Sequence, residues 1–311
     1  MTNLRTIATG LRFPEGPVAM PDGSVILVEV DSSEIARVSP DGKVERIANV
    51  GLGPNGAALG PDGKLYLTMN GGFEFHDIGG FRVPGNAAPN YAGGSIKRVD
   101  LSNGTVETLY TACGDLPLRG PNDLVFDAHG GIYFTDLGKG FPRTHDRTGI
   151  FYAKADGSHI EEIAFPLITP NGIGLSPCGK RVYVAETFTG RVWKWEIESP
   201  GKLKKDPESL LGHGGTLVAG LEDKGEFRLF DSLAVDSADN VCVATLIKGG
   251  ITVMASDGSK VETVSIDDPF VTNICFGGPD LRTAFICASG KGELLAMDWP
   301  RPGAKLNYLN T

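Results

Sequence analysis

Six times along the chain a short apolar strand begins just after a small polar residue, in the copies FPEGPVAMPDGSVILVEV, GPNGAALGPDGKLYLTMN, GPNDLVFDAHGGIYFTDL, TPNGIGLSPCGKRVYVAET, LFDSLAVDSADNVCVATL and FVTNICFGGPDLRTAFICAS. Aligning those starts places Glu15, Asn55, Asn122, Asn171, Asp231 and Thr272 in one column. A repeated strand–turn–strand unit cannot bury its apolar face alone, so it demands radial or solenoid stacking. The column spacings of 40, 67, 49, 60 and 41 residues suit four-stranded blades better than the shorter ankyrin or leucine-rich units.

Within each unit the alternation has period two, as in SVILVEV and KLYLTMN, and helical periodicity is almost absent. Asp22-Gly23, Asp41-Gly42, Asp62-Gly63, Asp156-Gly157 and Asp257-Gly258 are hairpin-turn signals between such runs. The pattern predicts an all-β chain, a six-bladed β-propeller with four-stranded antiparallel blades forming one domain over residues 1–311. The last unit, from Val271 to Trp299, supplies only about three strands before the Pro300-Arg301-Pro302-Gly303 break. The N-terminal LRTIAT segment is therefore expected to supply the fourth and close the ring, leaving no long exposed edge.

Composition agrees with a closed all-β fold. Of 311 residues 41% are hydrophobic and 22% charged, enough for a sizeable core, and 43 Gly and 20 Pro serve many tight turns. A net charge of −9, with no basic run beyond Lys202 to Lys205, argues against a nucleic-acid partner. The N-terminus lacks a leader-like apolar core and nowhere do roughly 18 apolar residues run together, so a soluble cytoplasmic protein with no membrane partner is expected. The five cysteines form no CxxC pair and are odd in number, which points to reduced thiols, with Cys242, Cys275 and Cys287 as core residues.

If the column residues open the innermost strands, the loops between second and third strands stand beside the column and the Asp-Gly turns lie opposite. The long segment Asn70 to Gly94 and the shorter Asp136 to Thr148 then cover the ring axis, as functional loops. The insertion Glu198 to Phe227 is assigned to neither face.

A pseudo-sixfold ring brings the six column positions together near its axis. Glu15 and Asp231 contribute carboxylates, Asn122 and Asn171 amide oxygens, and no Cys or His occupies the column. An all-oxygen set suits one hard divalent cation, Ca²⁺ first and Mg²⁺ or Mn²⁺ next, rather than tetrahedral Zn²⁺. Glu15, Asn122, Asn171 and Asp231 are the predicted ligands, while Asn55 and Thr272 complete the ring or hold waters. Two carboxylates leave such a site neutral, and a bound ion can polarise a carbonyl.

FPEGPVAMPDG around Glu15, GPNDLVFDAHGGIYFTD around Asn122, TPNGIGLSPCGKRVYVAET around Asn171 and DSLAVDSADNVCVA from Asp231 together resemble the SMP-30/gluconolactonase/luciferin-regenerating family over essentially the whole chain. That resemblance implies a propeller with one divalent cation held by the Glu, the two Asn and the Asp at these positions, and it admits Fe²⁺ or Zn²⁺ beside Ca²⁺, Mg²⁺ and Mn²⁺. It further implies hydrolysis of a small lactone, with the cation as Lewis acid and Asp231, or a water on the ion, assisting attack. Animal members carry a sugar-binding Arg two residues before the Asn matching Asn122; here that position is Gly120, and Arg119 precedes it. Arg119, Asn122, Phe73, His76, Phe141 and Phe188 are the expected substrate contacts, with Phe75, Phe81, His145, Lys139 and Arg143 nearby on the same loops. Two rival readings are an organophosphate triester hydrolase using the same ion, and a non-catalytic propeller scaffold. A scaffold gives no reason for the aligned oxygen column.

Overall fold

The structure is a computed structural model describing residues 3–209, 211–220 and 228–310. It is a six-bladed β-propeller, and among the described residues there is no helix. The six innermost strands are Pro14–Ala19, Pro54–Leu59, Pro121–Phe126, Pro170–Leu175, Leu229–Val235 and Val271–Gly277. Four of them begin with Pro, which the position tolerates because an innermost strand is a sheet edge with one side free of ladder bonds. Second strands such as Val25–Glu29 and Leu65–Met69 are buried along their whole length, because each blade packs both faces against neighbours. Outer strands such as Val44–Asn49 are largely open to water.

Six buried apolar clusters hold the ring, one at each interface between adjacent blades. Val28 and Ile35 of the first blade meet Leu65 and Leu67 of the second, and Tyr66 meets Phe126 and Phe134 at the next. Three further clusters continue round to the sixth blade. The last joins the ends: Ala8, Leu11, Cys287 and Leu294 pack on Val25, Leu27 and Ala36. The N-terminal strand Arg5–Ala8 pairs antiparallel with Glu293–Asp298 as the sixth blade's outermost strand, as the repeat arithmetic predicts. All five cysteines are free, and Cys242, Cys275 and Cys287 are buried.

The structure gives form to the covering loops and to the insertion left unplaced. The segment Asn70 to Gly94 is no irregular loop but a hairpin, Phe73–Ile78 with Phe81–Ala87, and Asp136 to Thr148 carries a smaller one, Gly140–Phe141 with Thr144–His145. Much of the insertion Glu198 to Phe227 extends the fourth blade: Lys202–Lys204 and Thr216–Gly220 pair with different halves of Arg191–Ser199, sharing its outermost position. Residues 210 and 221–227 of that insertion lie outside the described residues. No helix of the described residues is long and apolar enough to cross a membrane.

Candidate active site

Every innermost strand carries a register shift where the column falls, for example between Glu15 and Val18, Pro121 and Leu124, and Phe230 and Leu233. An irregularity of this kind re-aims side chains and is over-represented beside active sites. Its effect here is to place Glu15, Asn55, Asn122, Asn171 and Asp231 in the wall of one axial cavity of about 390 Å³. Close packing of neighbouring inner strands fixes their spacing. A Cβ on Gly16 would lie 2.5 Å from the Asn55 carbonyl oxygen, and one on Gly56 would lie 2.7 Å from that of Asn122. The second strands add hydroxyl bridges: Thr68 Oγ1 accepts from Gly56 N and donates to the Asn122 carbonyl, and Thr135 Oγ1 links Asp123 N to the Asn171 carbonyl.

The backbone enters the column under strain. Phe13 (φ 57°) and Thr169 (φ 50°) lie in the left-handed region, each two residues before a column residue. For a β-branched residue such as Thr169 this conformation is an outlier, costing on the order of 1–3 kcal/mol. The Thr169 hydroxyl offsets it by donating to Ile168 O at 2.7 Å and accepting from Phe188 N at 3.0 Å.

A second ring of acids supports the first. Glu29, Asp136 and Glu186 end second strands and are almost wholly buried. Their carboxylates accept from the backbone just before the column: Glu29 from Arg12 N, Glu186 from Ile168 N, and Asp136 from both Arg119 N and Gly120 N, each at 2.7 Å. Asp136 also receives Gly138 N. These three residues escaped the sequence reading although they align at the end of the quoted copies, in LVEV, FTDL and VAET.

The column side chains differ in their freedom. Glu15 Oε2 accepts from Gly16 N at 3.0 Å and from Asn273 Nδ2 at 2.7 Å. Asn171 donates Nδ2 to Thr187 Oγ1 at 3.0 Å, which orients its amide. Asn55 Oδ1 accepts from Asn70 Nδ2, and Thr272 shares its hydroxyl with Ser289, so both are occupied by protein groups. Asn122 Oδ1 is buried with no hydrogen-bond partner among the described residues. Burial pushes the Glu15 carboxyl up to about 7. Asp231 is raised well above the usual carboxylate range by burial first and by the Glu15 charge second, its neighbour Asn171 opposing the shift.

Two desolvated carboxylates that repel each other, with an amide oxygen lacking a donor, form an arrangement that a hard cation would relieve. No group of three His, Cys, Asp or Glu side chains able to hold a metal occurs among the described residues. A cation here would accordingly rely on amide oxygens for half of a four-residue protein set.

Of the expected substrate contacts, Asn122, Phe73, Phe141 and Phe188 line the cavity with the column. Arg119 and His76 do not. The Arg119 guanidinium is held by Asp146 at 3.0 and 3.2 Å, and a Cβ on Gly120 would lie 2.5 Å from Gly138 O, so no side chain can project from that position. His76 sits exposed on the covering hairpin, opposite Val83. Lys139 is fully buried behind the wall, its Nζ 3.4 Å from the Phe73 ring centre and 3.3 Å from Asn70 Oδ1, and burial lowers its pKa well below the ordinary lysine value. The covering hairpin is anchored by Arg82, which pairs with Asp31 of the first blade and Asp77 of its own hairpin and donates its backbone N–H to Gly290 O.

Comparison with known proteins agrees with this architecture. The gluconolactonase of Zymomonas mobilis is 26% identical over 318 residues, spanning 93% of this chain and 79% of its own length. Lactonase drp35 of Staphylococcus aureus is 27% identical over 252 residues, covering 78% of this chain and 67% of the relative. A solved gluconolactonase from Xanthomonas campestris superposes with a TM-score of 0.73 at 21% identity, over 96% of this chain and 90% of the other. The sequence pattern of the SMP-30/Gluconolactonase/LRE-like region matches residues 13–290, and the chain belongs to that family.

Proposed function

We propose that the protein hydrolyses lactones with the help of one divalent cation held by Glu15, Asn122, Asn171 and Asp231. The observation that carries this reading is the buried Asn122 Oδ1, without a hydrogen-bond partner among the described residues, in the same cavity as two desolvated carboxylates. The relatives named gluconolactonase and lactonase supply the reaction class. Oxygen donors alone favour Ca²⁺, with Mg²⁺ or Mn²⁺ next. A dication at this place would act as a Lewis acid toward the ester carbonyl oxygen.

The chain's own residues then divide the remaining work. Asp231, buried in the cavity wall, orients a water and takes its proton as the water oxygen bonds to the carbonyl carbon. The bond from that carbon to the ring oxygen breaks, and the ring oxygen leaves as an alkoxide that receives the proton, giving a hydroxy acid. Glu15, fixed by Gly16 N and Asn273 Nδ2, and Asn171, fixed by Thr187, keep the oxygen set in place without reorganisation during the reaction. The two hairpins restrict solvent at the cavity mouth.

The test is metal analysis of the purified protein with chelation and add-back of Ca²⁺, Mg²⁺, Mn²⁺, Fe²⁺ and Zn²⁺ while lactone hydrolysis is followed. Activity should disappear on chelation and return with one ion. Full turnover by protein stripped of all metal overturns the proposal. Asp231→Asn separates the roles within it, because an unchanged rate with retained metal would remove Asp231 as the base.

A further inference from the structure

Resting on the lactonase reading, we infer that this site is built for a lactone bearing an alkyl chain or aromatic ring rather than for a polyhydroxylated one. Above the oxygen floor the wall is made chiefly by Phe13, Phe73, Phe141, Phe188, Leu229 and Phe270. Glu15 and Asp231 are the only Asp, Glu, Lys or Arg side chains among the described lining residues. Of the two threonines in the lining beside the column, Thr169 donates its hydroxyl to Ile168 O and Thr187 accepts from Asn171 Nδ2. Beyond the floor amides of Asn55 and Asn122, a substrate hydroxyl meets only the side chains of Asn86, Thr144 and His145 among the described polar lining residues on the covering hairpins, and His145 Nδ1 is itself bonded to Asp146 O at 2.8 Å.

The cations that could have served a sugar ring are withdrawn. Arg119 is turned onto Asp146, Lys139 lies behind Phe73, and Gly120 has no space for a side chain. A polyhydroxylated ring would bring several hydroxyls into this wall, and each one left without a partner loses its hydration uncompensated. An apolar substituent meets no such penalty.

A second observation comes from the rim. Phe188 is 60% and Phe141 36% exposed, although both line the cavity. Large aromatic rings held in water at a cavity mouth mark an apolar contact site. Phe188 is steadied edge-on by His145 at 5.6 Å and Phe141 by Tyr91 at 6.0 Å, so the rings are presented in defined orientations. A chain or ring substituent on the substrate would lie across them while the ester carbonyl reaches the oxygen floor.

The experiment measures kcat/KM, with the activating cation present, for a six-membered lactone carrying a five-carbon alkyl chain, an aryl-fused six-membered lactone and glucono-1,5-lactone. Both apolar substrates should exceed gluconolactone by at least about tenfold, and Phe188→Ser and Phe141→Ser should each cut that ratio by about tenfold, the scale on which an apolar pocket discriminates. Both rings are partly exposed, so neither change should unfold the chain, which a thermal melt checks. A preference for gluconolactone, or a ratio that neither substitution moves, overturns the inference while leaving lactone hydrolysis standing. Absence of turnover on all three compounds overturns the lactonase reading and this inference with it.

Discussion

The two ends of the propeller axis are lined by the same six strands yet have opposite character. At the upper end the first residues of five of these strands present oxygens to a cavity under the covering hairpins. A few residues further along, Val18, Leu59, Phe126, Leu175, Val235 and Phe276 line a mainly apolar pocket, whose wall also takes in Asp123, Asn273 and, from the C-terminal segment, Ala304, Leu306 and Leu309. The contrast teaches that the register shifts divide the labour. Before and within each shift the strand serves chemistry, and after it ordinary alternation resumes and serves packing. Substitutions at the two ends should therefore fail in different ways.

The largest effect is expected at the upper end. Glu15→Gln should lower kcat/KM by at least about 10²-fold and weaken cation retention, since Lewis-acid stabilisation is a matter of several kcal/mol. The metal-free variant should melt no lower than the metal-free parent, because the change removes a desolvated carboxylate that repels Asp231. Turnover and metal content equal to the parent's would break the division proposed for the axis.

At the lower end Phe126→Ala should do the reverse. Phe126 is 2% exposed and meets Tyr66 and Tyr308 edge-on, at 5.0 and 5.8 Å. Its removal leaves a cavity and should cost about 3–5 kcal/mol in denaturant unfolding, with kcat little changed. A large drop in kcat with stability intact would show that the lower half of the strand reaches the chemistry.

Titration sharpens the contrast without any mutation. The folded-state pKa of Glu15 is raised, from 4.5 to about 7, so the folded metal-free chain binds a proton between these values that the unfolded chain has released. Its contribution to stability is present below about pH 4.5 and is lost as pH rises through about 7, amounting to about 3 kcal/mol at one pKa unit per 1.36 kcal/mol. Chelated protein should thus lose stability across that window, and the activating cation should restore it. A flat profile in the absence of metal would contradict a desolvated Glu15.

How much of this was legible in the sequence follows from what a sequence records. Blade number, the closing N-terminal strand and the column survive as period and alignment, because every blade must bury the same faces. The register shifts are backbone events without a residue signature, so the alignment located the column but not how its side chains are aimed. The covering hairpin did carry a signal, the Gly79-Gly80 pair between apolar runs, with both residues at positive φ. Arg119 illustrates a different limit. Its residue type suits a substrate hydroxyl, but Asp146, 27 residues later, captures it through a loop whose path no local pattern specifies.

The smallest effect tests whether neighbouring blades position the oxygen set. Thr135 is wholly buried, and its hydroxyl joins Asp123 N in the third blade to the Asn171 carbonyl in the fourth. Thr135→Val keeps the shape but leaves that donor and acceptor unpaired, which costs about 1–3 kcal/mol when both stay buried. Part of that loss should fall on the site, because Asn171 would no longer be tied to its neighbour. We expect a weaker apparent affinity for the activating cation in add-back titrations, with kcat at saturating cation close to the parent's. Loss of stability with cation affinity unaltered would make the bridge purely structural, and the six-blade ring would then set the column by packing alone.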